Sequence, residues 1–177
     1  MSLESRIKLA IRDVADFPKE GVVFKDLTPL LLDPVLTEDI TNEIIQRVNG
    51  ERIDAVCAVE SRGFLYGMVL AHKLKVPFIP IRKKGKLPGE TIEFTYDLEY
   101  GSATVEVHLE DIQAGWNVLV HDDLLATGGT AAAATELMKM RHAKVVAYAF
   151  LLELDFLHGR KRLEKYNSKI ISLVTYN

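Results

Sequence analysis

The sequence predicts an α/β fold: an open, mostly parallel β-sheet with helices on both faces. Short, nearly continuous apolar runs alternate with helix-like segments along most of the chain, and 48% of the residues are hydrophobic. Strands that are apolar on both sides are typical of parallel sheets covered by helices on both faces. The 177 residues contain no internal repeat, low-complexity tract or evident linker. Residues 1–177 are therefore predicted to form a single domain.

The N-terminal segment is predicted to begin with an amphipathic helix and to continue as an irregular flap. The helix is predicted from apolar residues at helical spacing, which are Leu3, Ile7, Ala10, Ile11 and Val14. It is expected to end before Pro18. Prolines and a glycine interrupt residues 18–34, which predicts a flap with one short extended piece. A second helix is predicted over Leu36 to Val48, with Thr37 as its N-cap and Gly50 after its end.

From residue 53 onward the pattern alternates between strands and helices. Strands are predicted over residues 53–59, 76–82, 117–122, 144–154 and 169–176, and helices over residues 63–74 and 129–141. Residues 82–111 interrupt this rhythm, because alternation near residues 103–109 predicts an antiparallel ribbon. The long loop before the ribbon, centred on Gly85 to Gly89, is expected to be functional, since loops of this length are seldom structural filler.

The composition limits the classes of partner. A formal net charge of -3 gives no general attraction to nucleic acid or to an anionic membrane. No apolar stretch approaches the roughly 18 residues of a transmembrane helix, and the first residues lack the apolar core of a secretory signal. The single cysteine, Cys57, cannot form an internal disulfide. We therefore expect a cytoplasmic protein that binds neither nucleic acid nor membrane.

The segment Val118 to Ala134, VLVHDDLLATGGTAAAA, carries the clearest functional signal. In open α/β sheets, ligands bind at the carboxyl ends of the strands, and Asp122 and Asp123 are predicted to lie where this strand ends. The threonines and glycines that follow open a helix, whose free N–H groups and dipole favour a phosphate. The two carboxylates suit sugar hydroxyls or a divalent cation bound through water. These residues predict a phosphate ligand and leave open whether it is a phosphoribosyl compound.

Several motifs, in a fixed order, resemble the adenine-specific members of the type I phosphoribosyltransferase family. VLVHDDLLATGGT is similar to the motif with which that family binds 5-phosphoribosyl 1-pyrophosphate (PRPP). The other matching motifs are DFPKEGVVFKDLTPLL, ESRGFLYG, IRKKGKLPGET, YDLEYG and ELDFLHGR, so the resemblance covers nearly the whole chain. It implies the type I phosphoribosyltransferase fold, with an N-terminal helix and base-binding hood in residues 1–35 and a mobile basic lid loop in residues 83–100.

The resemblance also implies roles for individual residues. It assigns PRPP and AMP to Arg62, Lys83, Lys86, Tyr100, Asp122, Asp123, Ala126, Thr127, Gly128, Gly129 and Thr130. It assigns binding of the base to Val23, Phe24 and Lys25. The family usually has arginine at the last of these positions. The ammonium group of lysine cannot replace the planar guanidinium of arginine, which donates two parallel hydrogen bonds. Glu99 is the catalytic candidate, because a carboxylate can stabilise positive charge on the ribose or manage a proton of adenine. His121 is given no role.

The implied activity is transfer of the 5-phosphoribosyl group from PRPP to adenine, giving AMP and pyrophosphate in purine salvage. Mg²⁺ is expected through the substrate phosphates and water, with Asp122 and Asp123 as further candidate contacts, and a homodimer is expected. One alternative is a nucleotide-binding regulator of transcription, which the absence of an added DNA-binding part disfavours. Another is an enzyme for guanine, hypoxanthine or xanthine, which the flap residues Val23 and Phe24 disfavour.

Overall fold

The computed structural model describes residues 1–97, 101–167 and 169–177. The helices α1 to α5 cover Leu3–Ala10, Pro34–Arg47, Gly63–Leu74, Gly129–Met140 and Gly159–Leu163. The strands β1 to β9 cover Arg12–Ala15, Val23–Asp26, Ala55–Val59, Phe78–Lys83, Thr91–Asp97, Ser102–His108, Asn117–Leu125, Lys144–Leu154 and Ile170–Tyr176. Within these described residues, none of the helices combines the length and the apolar character that crossing a membrane requires.

The central sheet has the strand order β5-β6-β4-β3-β7-β8-β9. Four neighbouring pairs are parallel: β4 with β3, β3 with β7, β7 with β8, and β8 with β9. The strand β6 pairs antiparallel with both β4 and β5. This arrangement confirms the mostly parallel α/β sheet and the antiparallel ribbon that the sequence predicts. The strands β1 and β2 form a separate antiparallel pair in the N-terminal segment.

The direction of winding changes at β3, which has β4 on one side and β7 on the other. Parallel sheets leave a crevice at such a switch point, outside the carboxyl ends of the two central strands. The register pairs Ala58 with His121. Consequently, the residues that follow Val59 and the residues from Asp122 onward emerge side by side at the mouth of this crevice.

Two apolar clusters cover the two faces of the sheet. The helices α1, α2 and α3 bury one cluster, which includes Ile7, Ile40 and Leu70. The helices α4 and α5 bury the other, which includes Leu137 and Leu163. Successive residues of β7 alternate between the clusters, since Val118 and Val120 belong to the second and Leu119 to the first. Burial on both sides explains why these strands are continuously apolar.

Two predictions for the N-terminal segment were wrong. Val14 lies in β1 and not in the opening helix, because residues 12–15 pair with β2 and tertiary pairing overrides local helical spacing. The N-cap of α2 is Asp33, whose side chain accepts a hydrogen bond from the N–H of Leu36 at 2.9 Å. Thr37 lies inside the helix, and its hydroxyl donates to the carbonyl of Leu30 at 3.3 Å. Pro34 is tolerated because the first helical residue needs no N–H donor.

Two further boundaries differ from prediction. The strand β7 continues through Leu125, because β8 pairs with it up to that residue, so Asp122 and Asp123 lie within the strand rather than at its end. Within the predicted lid loop, residues 91–97 form β5 and pair along their whole length with β6. The irregular part of the lid is therefore residues 84–90, and residues 98–100 lie outside the described part of the chain.

Candidate active site

The crevice between β3 and β7 contains a polar cavity of about 360 Å³. Its lining residues are Glu60, Ser61, Arg62, Lys83, Asp122, Asp123 and Leu124. A smaller cavity of about 60 Å³ adjoins it and is lined by Asp122, Phe150 and residues 124–131. Asp122 and Leu124 line both cavities, so the two cavities are neighbours. The fold thus brings together predicted residues from the turn after β3, from β4, from β7 and from the loop before α4.

The loop of residues 126–130 is arranged as an anion site at the start of α4. Gly128 occupies the N-cap position with a φ of 73°, a left-handed conformation that favours glycine. No side chain caps the first turn of this 12-residue helix. Its N–H groups therefore remain available to a phosphate, and the helix dipole favours negative charge there. The Thr130 hydroxyl lies 3.2 Å from the hydroxyl of Tyr96 on β5.

Gly159 supports this loop from behind. A Cβ atom built on Gly159 would lie 2.2 Å from the carbonyl oxygen of Ala126, and one built on Gly128 would lie 2.8 Å from the carbonyl oxygen of Gly159. Neither distance is compatible with a side chain. The loop therefore keeps its position through a direct backbone contact with the first residue of α5, which only glycine permits at both places.

A short ion pair crosses the crevice from the residue before α3 to β7. The Nε of Arg62 donates to Oδ2 of Asp123 at 2.5 Å, and the Asp123 side chain is only 9% exposed. The guanidinium of Arg62 also lies 5.7 Å from the centre of the Phe24 ring. Arg62 therefore connects the carboxylates of β7 with the N-terminal hood.

The surroundings of Asp122 disfavour its ionised form. Burial raises the pKa of Asp122 well above its ordinary value, and the negative charge of neighbouring Asp123 raises it further. Its Oδ1 accepts a hydrogen bond from the backbone N–H of Asp123 at 2.9 Å. The close approach of α3 encloses the carboxyl group, because a Cβ atom on Gly63 would lie 2.9 Å from that oxygen. Hydroxyl donors or a cation would stabilise the ionised form.

His121 is a packed residue of the sheet. Its Nδ1 lies 2.9 Å from the carbonyl oxygen of Ala149 on β8, and the side chain is fully buried. Burial lowers the pKa of His121 to about 4, so the ring is neutral at pH 7 and Nδ1–H is the donor. Its Nε2 has no hydrogen-bond partner within the described residues. The arrangement agrees with giving His121 no part in the chemistry.

The three residues predicted to bind the base, Val23, Phe24 and Lys25, lie in β2, and their side chains point to two opposite faces of that strand. The Phe24 ring packs edge-on against Phe17, with ring centres 5.1 Å apart, and lies toward Arg62. The Lys25 ammonium lies 2.8 Å from both carboxylate oxygens of Asp13 and 4.4 Å from the centre of the Tyr176 ring. Since successive strand residues face opposite ways, this geometry does not support the assignment of Lys25 to the base.

Three of the remaining predicted residues have a different status. Lys86 is an exposed residue of the 84–90 loop and is not among the residues that line the cavity. Glu99 and Tyr100 lie outside the described residues. Their assignments therefore stay predictions.

Sequence reasoning missed three residues that shape the site. Glu60 accepts hydrogen bonds from Arg82 Nε and from the N–H of Lys83, both at 3.0 Å. Glu60 and Gly159 belong to motifs that carried the resemblance, so they could have been singled out there. Tyr96 begins the YDLEYG motif, which also carried the resemblance, but its contact with Thr130 depends on how the ribbon packs against α4. In the described parts of the chain, no group of three or more His, Cys, Asp or Glu side chains is assembled to hold a metal ion.

Comparisons with known proteins agree with this geometry. Residues 28–176 match the family described as phosphoribosyl transferase domain. An adenine phosphoribosyltransferase of Cytophaga hutchinsonii is 49% identical over 174 residues, which are 98% of this chain and 96% of that relative. The crystal structure of the adenine phosphoribosyltransferase of Thermoanaerobacter pseudethanolicus superposes with a TM-score of 0.93 at 43% identity, over 99% of this chain and 100% of that one.

A second solved structure includes ligands. The adenine phosphoribosyltransferase of Saccharomyces cerevisiae, complexed with D-2,5-dideoxy-2,5-imino-altritol 1,6-bisphosphate and adenine, has a TM-score of 0.90 at 41% identity. The alignment covers 97% of this chain and 98% of that chain.

We expect Asp122→Asn to be more stable than the wild type at neutral pH. The folded protein keeps a proton on Asp122 at pH values where the unfolded chain, with a pKa near 3.8, has released it. Stability contributed by this carboxyl is therefore lost as pH rises from 3.8 toward the higher folded value. Asparagine mimics the neutral carboxyl and removes this loss. Urea unfolding at several pH values measures the effect.

The control is Asp111→Asn, which changes an exposed carboxylate in the turn after β6. It should leave the pH dependence of unfolding as in the wild type. If Asp122→Asn and Asp111→Asn give the same pH profile, Asp122 is not held in its protonated form.

Gly159→Ala is expected to weaken phosphate binding. The added Cβ must displace the loop of residues 126–130, and displacements on the order of 1 Å at a site cost about tenfold to a hundredfold. Calorimetric titration with ribose 5-phosphate measures the change. Gly115→Ala is the control, because an added Cβ on Gly115 meets no atom within 4 Å. Equal affinities for the two variants would contradict the support role of Gly159.

Proposed function

The chain belongs to the adenine phosphoribosyltransferase branch of the phosphoribosyl transferase family, and on that premise we propose how its residues divide the reaction among them. It transfers the 5-phosphoribosyl group of PRPP to adenine, giving AMP and pyrophosphate. The observation that supports the assignment of residues most strongly is that the polar cavity and the cavity at the loop before α4 share Asp122 and Leu124 in their linings.

The loop of residues 126–130 binds the 5′-phosphate. Uncapped N–H groups at the start of α4 and the hydroxyls of Thr127 and Thr130 supply donors, and Gly128 and Gly129 let the backbone approach the phosphate closely. This loop lies next to Asp122, so a ribose that extends from the phosphate reaches the two carboxylates of β7.

Asp122 and Asp123 accept hydrogen bonds from the ribose hydroxyls. Two hydroxyl groups supply donors to a pair of carboxylates whose ion-pair partner among the described residues is Arg62. Binding therefore stabilises the ionised form of Asp122, which burial and the charge of Asp123 disfavour. Because the hydroxyls lack charge, the carboxylates still attract a cation or the positive character that develops on the reacting ribose.

The pyrophosphate group lies toward Arg62, Lys83, Lys86 and Tyr100. Arg62 and Lys83 line the cavity, and arginine suits several phosphate oxygens at once. The exposed position of Lys86 on the 84–90 loop suits a lid residue that approaches the ligand when the loop closes.

Adenine binds beneath the hood. The Phe24 ring stacks on the base, and the backbone of Val23 reads its edge. The position of Phe24, whose ring centre is 5.7 Å from the Arg62 guanidinium, supports this arrangement, because a base beneath the hood would then lie next to the pyrophosphate group. We leave Lys25 out of the base site, since its ammonium group donates to Asp13 and lies over the Tyr176 ring.

Mg²⁺ is the proposed cofactor. The cavity offers carboxylate oxygens from Glu60, Asp122 and Asp123, and Mg²⁺ prefers one or two carboxylates together with substrate phosphates and water. The donor set fits, with Asp122 and Asp123 as the residues that would hold the ion. When bound, the ion supplies positive charge that stabilises the departing pyrophosphate.

The protein contributes mainly position and charge to the chemical step. The bond between ribose C1 and the pyrophosphate oxygen breaks while a bond from C1 to N9 of adenine forms. The ribose passes through an oxocarbenium-like state with positive character at C1. Glu99, which follows β5, stabilises this charge or manages a proton of adenine, and the lid excludes water.

An exposed apolar surface supports a homodimer. Its large side chains are between 42% and 85% exposed and belong to the turn of residues 28–32, the start of α2, and α3; they are Leu31, Leu32, Val35, Leu65 and Met68. Surfaces of this kind are typical of protein interfaces. Leu31 and Leu65 line one crevice together with Arg62, so a partner chain would lie beside the active site. A cytoplasmic location is supported by the free, buried thiol of Cys57.

We expect Glu99→Gln to lower kcat by about a hundredfold or more while changing the KM for PRPP little. The amide keeps the shape of the side chain but removes its charge and its basicity. Formation of AMP from labelled adenine, PRPP and Mg²⁺ measures this directly.

Glu110→Gln is the control for this variant, because Glu110 is exposed on the turn after β6. The same assay with excess unlabelled guanine, hypoxanthine or xanthine should leave the label in AMP undiminished. Unchanged turnover in Glu99→Gln would remove Glu99 from the chemistry, and competition by another purine would show that the hood does not select adenine.

A further inference from the structure

A buried carboxylate holds the 84–90 loop, which joins β4 to β5. Glu106 on β6 is 3% exposed. Its Oε1 accepts hydrogen bonds from the backbone N–H of Lys86 at 2.7 Å and from that of Leu87 at 2.8 Å. Burying a carboxylate is costly unless it is hydrogen-bonded. The loop backbone therefore provides the donors that let Glu106 remain inside the protein.

The conformation of Gly85 turns these donors toward Glu106. Gly85 has a φ of 81°, so the chain reverses locally and successive N–H groups point to one side. Such a concavity is a common binding site for phosphate and other anions. Here a side chain of the same protein fills it. The basic loop can therefore meet an anionic ligand through its lysine side chains, whereas these N–H groups are already occupied.

The other side of the same loop is tied to the active site. Arg82 donates from a terminal guanidinium nitrogen to the carbonyl of Lys86 at 3.3 Å and from Nε to Glu60 at 3.0 Å. Glu60 lines the polar cavity. Both peptide groups of Lys86 are thus fixed, one by Glu106 and the other by Arg82.

The charges around Glu106 favour its ionised form. Burial raises the pKa of this carboxyl, but the N–H groups of Leu87, Gly85 and Lys86, together with the charge of Lys84, outweigh burial and lower the pKa overall. Glu93 lies directly opposite Glu106 in the ribbon, and Lys84 pairs with it at 2.7 Å. The positive charge of Lys84 thus acts on both of these facing carboxylates.

We propose that Glu106 is a positioning residue for PRPP binding: by holding the backbone of residues 85–87, it sets where Lys86 presents its ammonium to the pyrophosphate group. This inference rests on the proposed role of the loop in binding PRPP. Glu106 itself touches neither substrate. Its effect therefore belongs to the KM for PRPP and not to kcat or to the KM for adenine.

The test compares Glu106→Gln with Glu93→Gln, which removes an exposed carboxylate from the facing position of the ribbon. Replacing a charged acceptor of two hydrogen bonds is expected to raise the KM for PRPP about tenfold or more. The kcat and the KM for adenine should stay near the wild-type values. Trypsin should cleave after Lys84 and Lys86 faster in Glu106→Gln than in the wild type. Glu93→Gln should behave as the wild type in the kinetic assays.

Glu106→Asp is the second variant, in case the glutamine variant does not fold. It keeps the charge but shortens the side chain by one methylene group, so both effects should be present and smaller.

Two results would overturn the proposal. Unchanged tryptic cleavage would show that Glu106 does not hold the loop. Faster cleavage with an unchanged KM for PRPP would show that holding the loop does not matter for binding. The variant Lys86→Met distinguishes a failure of this proposal from a failure of the proposed function. If Lys86→Met also leaves the KM for PRPP unchanged, the assignment of the loop to pyrophosphate is itself wrong.

Discussion

Two adjacent carboxylates with one cationic partner are the constraint on which the active site depends. Asp123 pairs with Arg62 at 2.5 Å, whereas Asp122 is enclosed by α3 and has no cation of its own among the described residues. A folded protein gains nothing from this arrangement in the absence of ligand. It becomes favourable when hydroxyl donors and positive charge arrive, so the protein carries instability that substrate binding relieves.

The topology of the sheet creates this cluster. Winding reverses at β3, so the segment after β3 and the far end of β7 meet at one crevice. β7 extends past β3 because β8 continues to pair with it, which lets Asp122 and Asp123 project from a regular strand. Glycines then allow the close contacts: Gly63 against Asp122, and Gly128 against Gly159. These close contacts give the crevice a rigid surface, and the proposed lid lies in the 84–90 loop beside it.

Features that depend on local periodicity were predictable from the sequence. The helix over residues 63–74 and the strand over residues 144–154 match to the residue, because burial on fixed faces imposes their patterns. Features that depend on pairing were not. Val14 joins a strand because β2 lies beside it, and the contacts of Glu106 with the 84–90 loop need the ribbon register. The resemblance supplied the site residues, but it did not show that Phe24 lies near Arg62 whereas Lys25 lies near Tyr176. That difference depends on the geometry of the hood.

Counting the protons released when PRPP and Mg²⁺ bind, without adenine, tests the central claim most directly. Calorimetric titrations in buffers of different ionisation enthalpy give this number between about pH 5 and pH 8. The wild type should release up to about one proton more than Asp122→Asn over part of this range, because ligand binding ionises Asp122. Equal proton release by the two proteins at every pH would contradict the account, since ligand binding would then leave the protonation of Asp122 unchanged.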